Sequence, residues 1–216
     1  MKKKLLILSG PTHEYLDPVR YLGNASSGKM GAAIARAAVH IGWDVDVISG
    51  PVHPSNLPDL QENGTIHHVT SAEEMYAAAA RLFPDVNAAI FAAAVADFRP
   101  AQKASQKMDH RDQACSLQLE PTPDIAASLG LEKQPYQKSI GFALQSHDGA
   151  QRAQEKLVNK NLDAIVLNSP NAIAADQAAY QWIDHESTSP DNWGVLSKTD
   201  CAQRIIQHLS KWFDVT

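Results

Sequence analysis

The residues of this chain whose types and spacing suit chemistry fall in three places. They are the loop Asn24-Ala25-Ser26-Ser27-Gly28-Lys29-Met30-Gly31, an aspartate at the end of an apolar run, Asp97, and two lysines one turn apart, Lys156 and Lys160. The loop opens into the alanine-rich stretch Ala32–Ile41, so Asn24, Ser26 and Ser27 offer caps and donors at a helix N-terminus. Gly23, Gly28 and Gly31 let the backbone come close to a ligand. Free N–H groups and the helix dipole favour an anion there. Gly23-x-x-x-x-Gly28-Lys29 nearly spells a P-loop, but Met30 stands where a hydroxyl would hold magnesium, and the preceding strand ends more than a dozen residues earlier. An anion site that is not a P-loop is the reading. A plain capped helix packed on a sheet is the alternative, and it leaves so long a polar loop unexplained.

Periodicity supplies the elements that must position these residues. Leu5–Leu8 reads as a buried strand, Gly42 stops the first helix, and Trp43–Ser49 alternates as a second strand. Thr65–Thr70 reads as a short strand whose histidines, His67 and His68, face opposite sides and are expected to be solvated. Ser71 with Glu74 forms a capping box for a helix with Met75, Ala78, Ala79 and Leu82 inward. Ala88–Val95 is a continuous apolar run, a central strand buried on both faces, and places Asp97 where open α/β sheets bind ligands. Residues 98–112 have no period, which leaves a functional flap or a disordered excursion as the two readings. Ala114–Leu119 alternates as a half-exposed strand, and Thr122 and Pro123 suit Ncap and N1 of a short helix running to about Leu129. Strands at Ser139–Leu144 and Asp163–Leu167 flank a helix from Gly149 to Asn161 that carries Lys156 and Lys160. Such a pair is usually a solvated face, and the helix dipole also favours cations there. Strands near Ala178–Ile183 and Val195–Ser197 precede a last helix capped by Thr199, with Ile205, Leu209 and Trp212 inward. The sum is an α/β fold, a Rossmann-like three-layer sandwich on a mostly parallel central sheet.

Composition narrows the class. The 216 residues carry a formal net charge of −5 and no basic block longer than Lys2–Lys4, which argues against nucleic-acid binding. One domain across 1–216 is expected. No apolar run approaches membrane length, and the apolar part of Met1–Leu8 is too short for a signal peptide. The two cysteines, Cys115 and Cys201, suggest neither a disulfide framework nor a cysteine metal site, so a cytoplasmic location is expected.

SGPTHEYLDPVRYLGNASSGKMG, ISGPV, FAAAVADFRP, Lys107 in the flap, PTPDI, IGFAL and KLVNKNLDAIVLN follow one another in this order. Together they resemble the phosphopantothenoylcysteine synthetase domain, the ligase half of the bacterial coenzyme A biosynthesis flavoprotein. The likeness runs from about Leu5 to Lys211. It implies that 4′-phosphopantothenate is activated by CTP or ATP to an acyl-nucleotide with release of pyrophosphate, and that L-cysteine then attacks. It also implies Mg2+, no flavin in this part, and a homodimer made by a strand arm at about 98–121 that completes the active site across it. A separate decarboxylase is a possible partner; no nucleic acid or membrane is expected.

The resemblance assigns roles position by position. Asn24 holds the acyl carbonyl and Lys107 is the catalytic flap lysine. Phe91, Ala92, Ala93, Asp97, Thr122, Pro123, Asp124, Ile125, Phe142, Lys156 and Lys160 meet the nucleotide, and Ser26, Ser27, Gly28 and Lys29 meet phosphate or substrate. Metal ligands are not assigned. Two departures stand out: the flap reads Lys107-Met108-Asp109-His110 in place of a lysine-rich run, with Lys103 or Arg111 as substitutes, and Gln145 replaces an acid after Leu144. Thr122-Pro123 also stands where an asparagine is common before Pro-Asp-Ile. The departures support a non-catalytic homologue as the alternative. An NAD(P)-dependent oxidoreductase ranks below it, since the first loop lacks G-x-G-x-x-G at the strand end and no Tyr-x-x-x-Lys pair is evident.

Overall fold

The computed structural model describes residues 2–108, 116–144, 149–168, 175–186 and 189–213. Asp109, His110, Arg111, Cys115 and Gln145, named above, lie outside the described residues.

The chain begins with strand β1 (Lys4–Ser9), a hairpin of β2 (His13–Tyr15) and β3 (Tyr21–Gly23), helix α1 (Lys29–His40) and strand β4 (Asp44–Ser49). Strand β5 (Gly64–His68), helix α2 (Ala72–Leu82) and strand β6 (Ala88–Phe91) follow. A short ribbon of β7 (Phe98–Pro100) and β8 (Leu119–Pro121) leads to helix α3 (Ile125–Glu132), strand β9 (Lys138–Leu144), helix α4 (Gly149–Asn159) and strand β10 (Ala164–Asn168). Strands β11 (Gln177–Asp184) and β12 (Asp191–Ser197) and helix α5 (Lys198–Lys211) close the chain. The main sheet has eight strands in the order β12-β11-β10-β9-β6-β1-β4-β5. From β5 to β10 every pair is parallel; β11 and β12 are antiparallel.

Side-chain alternation divides the core. Leu5, Ile7, Val45, Val47, Ile90 and Val166 join Ile34 of α1 and Ile205 of α5 on one face. Leu6, Leu8, Ile48 and Ala89 join Met75 of α2 and Leu129 of α3 on the other. β4 lies to one side of β1 and β6 to the other, so the sheet has its switch point at the carboxyl ends of β1 and β6.

Several local expectations are revised by tertiary partners. β6 pairs only to Phe91, not to Val95: Ala92 N–H still donates to Leu8 (3.0 Å), but Ala94 N–H turns to the Gly10 carbonyl (2.9 Å) and Ala94 bridges Pro11. The chain thus follows the loop after β1 and leaves β9, which opens a crevice. The hairpin of β2 and β3 carries no periodic signal because each strand has three residues; Asp17 makes its turn by accepting from the N–H groups of Val19 and Arg20, both at 2.8 Å. β8 covers Leu119–Pro121 and not Ala114–Leu119, of which Ala114 and Cys115 lie outside the described residues. Helix α3 is capped by Asp124, not Thr122, whose hydroxyl instead donates to the Ala96 carbonyl (2.5 Å). Helix α5 is capped by Ser197, which precedes the expected Thr199. In the capping box of α2, Ser71 accepts from Glu74 N–H (3.2 Å), while the Glu74 carboxylate reaches one residue further back, to Thr70 N–H (2.7 Å). His67 is half-buried rather than solvated and lies 3.1 Å from Asp46.

Candidate functional site

A cavity of about 660 Å³ lies at the carboxyl ends of β1, β6, β9 and β10. Every residue that the sequence marked for nucleotide or phosphate lines it, as does Asn24. The loop Asn24–Lys29 forms one wall, Phe91–Ala93 the floor, and Thr122–Ile125 with Phe142, Lys156 and Lys160 the opposite wall.

The first wall is built for an anion by its backbone. Gly28 is the N-cap of α1 in the left-handed region (φ 73°), and no side chain caps the helix, contrary to the expected capping by Asn24, Ser26 and Ser27. The first-turn N–H groups are therefore not claimed by a cap. Ser26 Oγ instead accepts from Gly28 N–H at 3.4 Å, and Asn24 Nδ2 donates to the carbonyls of Ala94 (3.3 Å) and Val95 (2.9 Å). Asn24 thereby ties the loop to the segment beyond β6. Gly31 lines the cavity and Gly23 does not, and packing demands a glycine at both positions. A Cβ on Gly23 would meet the Thr12 carbonyl at 2.7 Å, and one on Gly31 would meet Ser9 Oγ at 2.2 Å. Their small size lets backbone pack against backbone and α1 against the sheet.

The opposite wall turns two lysines inward instead of leaving them on a wet face. Lys160 binds Asp124 at 2.8 Å, and Lys156 Nζ donates to the Phe142 carbonyl at 2.7 Å. Burial, then the charge of Lys160, pushes the Lys156 pKa down, against the pull of Asp124 and Asp97. Burial works to raise the Asp124 carboxyl, but Lys160 and the Ala127 N–H outweigh it and hold it below the usual carboxylate range. A Cβ on Gly130 would meet the Lys160 carbonyl at 2.1 Å, so α3 fixes where that lysine leaves α4. Asp97 is exposed at the rim; Arg99 pairs with Glu120 (2.8 Å) and Glu73 (3.4 Å) and not with it.

Lys107 is not brought to this cavity. It is exposed, on a segment bound to the hairpin of β2 and β3. Ala104 N–H donates to the Leu16 carbonyl (2.8 Å), and Lys103, a candidate substitute, sits 5.3 Å from the centre of the Tyr15 ring. Met108 N–H donates to Asp17 (3.1 Å), and the Arg20 guanidinium binds both Asp17 (2.7 Å) and the Met108 carbonyl. The Asp17 side chain is fully buried. Burial works to raise its pKa, but the N–H groups of Val19, Arg20 and Met108 and the Arg20 guanidinium hold it well below the usual range.

The lining residues that sequence reasoning did not assign include the polar side chains Asn168, Tyr180 and Lys198. Asn168 ends an apolar strand as Asp97 ends another, so a signal existed. Tyr180 and Lys198 arrive through the antiparallel edge, whose strands have a local pattern but whose pairing onto β10 has none.

Residues 1–213 match the family described as DNA/pantothenate metabolism flavoprotein C-terminal domain. The chain belongs to this family. It is 38% identical over 215 residues to the coenzyme A biosynthesis bifunctional protein CoaBC of Bacillus subtilis (strain 168), covering 96% of this chain and 51% of that protein. It is also 39% identical over 210 residues to a cysteine/cysteine sulfinic acid decarboxylase of an unknown prokaryotic organism, covering 96% of this chain and 58% of that protein. The chain thus spans about half the length of these curated relatives. The crystal structure of the C-terminal domain of CoaBC superposes with a TM-score of 0.82 at 33% identity, covering 99% of this chain and 97% of that one. The mainly parallel sheet flanked by helices is therefore the architecture of this family. Among the described residues, no three His, Cys, Asp or Glu side chains converge to hold a metal ion, and no helix is long and apolar enough to cross a membrane.

Proposed function

We propose that the chain is a phosphopantothenate–cysteine ligase, joining 4′-phosphopantothenate and L-cysteine through an acyl-nucleotide formed from CTP or ATP. The observation that carries this is the gathering, at one switch-point cavity, of the loop Asn24–Lys29, the floor Phe91–Ala93, the segment Thr122–Ile125, Phe142, and Lys156 with Lys160. In this reading the open N–H groups of α1 face phosphate, and Lys156 and Lys160 meet negative charge beside the Phe142 strand end. Asn24 holds the acyl group where charge develops on its oxygen. No side chain is needed as a nucleophile: the substrate carboxylate attacks the α-phosphorus and pyrophosphate leaves, then the cysteine amine attacks the acyl carbon and the nucleoside monophosphate leaves. Catalysis is positioning and charge stabilisation.

Magnesium would accompany the phosphates and neutralise their charge. Asp97 is the candidate protein carboxylate, since Asp124 is committed to Lys160. The exposed apolar residues Val19, Tyr21, Phe98, Leu117 and Leu119 on the hairpin and the ribbon of β7 and β8 support a homodimer through this arm. Such a dimer offers Lys107 to the neighbouring cavity, and a cytoplasmic location belongs to the same reading.

A pyrophosphate-release assay with each of the four nucleoside triphosphates, phosphopantothenate and cysteine tests this. Wild-type protein should release pyrophosphate with CTP or ATP, and Asn24→Ala should fold yet form no phosphopantothenoylcysteine. Wild-type turnover by Asn24→Ala would refute the assignment.

A further inference from the structure

The end of the cavity away from Asp124 is lined by Lys29, Asn168, Tyr180 and Lys198. Tyr180 is 0% exposed, yet its hydroxyl has no hydrogen-bond partner among the described residues. A buried hydroxyl left unpaired is destabilising, and a fold that keeps one invites an account of what it binds. Burial and the neighbouring Cys201 push the phenol pKa up to about 12, so the group is a donor at neutral pH. In register, Tyr180 stands opposite Asn168, at the carboxyl end of the parallel strands.

Positive charge collects beside it. Lys29 is the first residue of α1, whose N-terminus lacks a side-chain cap, and Lys198 is the first residue of α5. The N-terminus of α5 itself is occupied, since Ser197 accepts from Asp200 N–H at 3.1 Å. Lys198 donates to the Ala175 carbonyl, and Lys29 is 3.6 Å from the exposed Asp176. Burial and then Lys29 lower the Lys198 pKa, against the pull of Asp176. Two ammonium groups, an uncapped helix start and a phenol donor supply more donors than the two oxygens of a carboxylate use. They suit the three terminal oxygens of a phosphoryl group.

We propose that Tyr180 and Lys198, with Lys29 and the N-terminus of α1, form a phosphoryl subsite at this end of the cavity. The name of the phosphate's carrier rests on the ligase reading; the subsite itself does not. Within that reading the carrier is the terminal phosphate chain of the nucleotide, and the subsite holds the pyrophosphate as it leaves. The phosphate of phosphopantothenate is the other source of the same chemistry.

Calorimetric titration of the full chain and of Tyr180→Phe and Lys198→Gln with pyrophosphate, CTP, CMP, phosphopantothenate and pantothenate tests the proposal, together with melting of the unliganded proteins. Tyr180→Phe should melt above wild type, because it deletes an unpaired hydroxyl. It should bind pyrophosphate and CTP about tenfold more weakly, the loss expected for one hydrogen bond to a charged group. Lys198→Gln should weaken the same probes and flatten their salt dependence. Unchanged CMP affinity assigns the subsite to the nucleotide's terminal phosphates; a loss for phosphopantothenate but not for pantothenate assigns it to the other source. Unchanged affinity of Tyr180→Phe for every phosphate-bearing probe overturns the proposal, as does a wild type that binds none. Wild-type pyrophosphate binding without ligase turnover would remove the ligase reading and leave the subsite standing.

Discussion

Replacing Gly31 by alanine tests whether the N-terminus of α1 is held at the cavity by contact with β1. The added Cβ would lie 2.2 Å from Ser9 Oγ and 2.5 Å from Ser9 Cβ. Carbon contacts settle at about 3.5–4.0 Å, so the overlap exceeds an ångström. Ser9 cannot step aside: it is 4% exposed, its Cβ is fixed by β1, and its Oγ donates to the Gly28 carbonyl at 3.2 Å. Helix α1 must therefore move off the sheet. Overpacking costs about 1–3 kcal/mol, and losing the Ser9 hydrogen bond costs about 1 kcal/mol. The better helix propensity of alanine offsets about 1 kcal/mol. The net is a loss of about 2 kcal/mol, or a Tm lower by about 4–8 °C for a chain of this size. The displaced helix start should also bind pyrophosphate about tenfold more weakly. Gly42→Ala is the control: its φ is +87° with nothing within 4 Å of the added atom, so it should cost about 1–2 kcal/mol in backbone strain and leave pyrophosphate affinity unchanged. Differential scanning calorimetry and calorimetric titration read both effects. A Gly31→Ala protein that melts at or above wild type would refute the reasoning, because propensity alone would then describe the site.

Asp17→Asn should release the segment carrying Lys107 from the hairpin, seen as faster hydrogen exchange at the Met108 amide and new tryptic cleavage at Lys103 and Lys107, with core amides unchanged. Lys133→Met should lower stability by about 2–3 kcal/mol in urea titration, less than for a fully orphaned buried charge, because Asp163 keeps Lys138 (3.3 Å) and Ser139 N–H (2.7 Å). Burial works to raise the Asp46 carboxyl, but Lys4 and His67 outweigh it and hold it below 3.8. A folded pKa below the unfolded one gives stability that is present above about pH 4 and is lost as pH falls through the folded value. The urea midpoint should therefore drop between pH 5 and pH 3, and Asp46→Asn should flatten that drop.

The sequence by itself determined the opening strand–loop–helix–strand unit, because an apolar run, an alanine-rich stretch and the left-handed Gly28 and Gly42 act through local sterics. It also determined most of the cavity, because Phe91–Ala93, Thr122–Ile125 and the pair Lys156 and Lys160 at the end of α4 sit at ends of elements whose periods are plain. Tertiary structure decided where competing local preferences settle. Thr122 is not a cap because its hydroxyl finds Ala96 first, and β6 ends at Phe91 because the chain prefers the loop after β1. Gly31 lines the cavity, but what requires glycine there is Ser9 facing it across the packed helix. Lys107 is placed by Asp17, ninety positions earlier in the chain, and Tyr180 and Lys198 reach the cavity only when two antiparallel strands complete the sheet. Each of these depends on which distant group arrives to satisfy a donor or fill a gap, and that is a property of packing rather than of neighbouring residues.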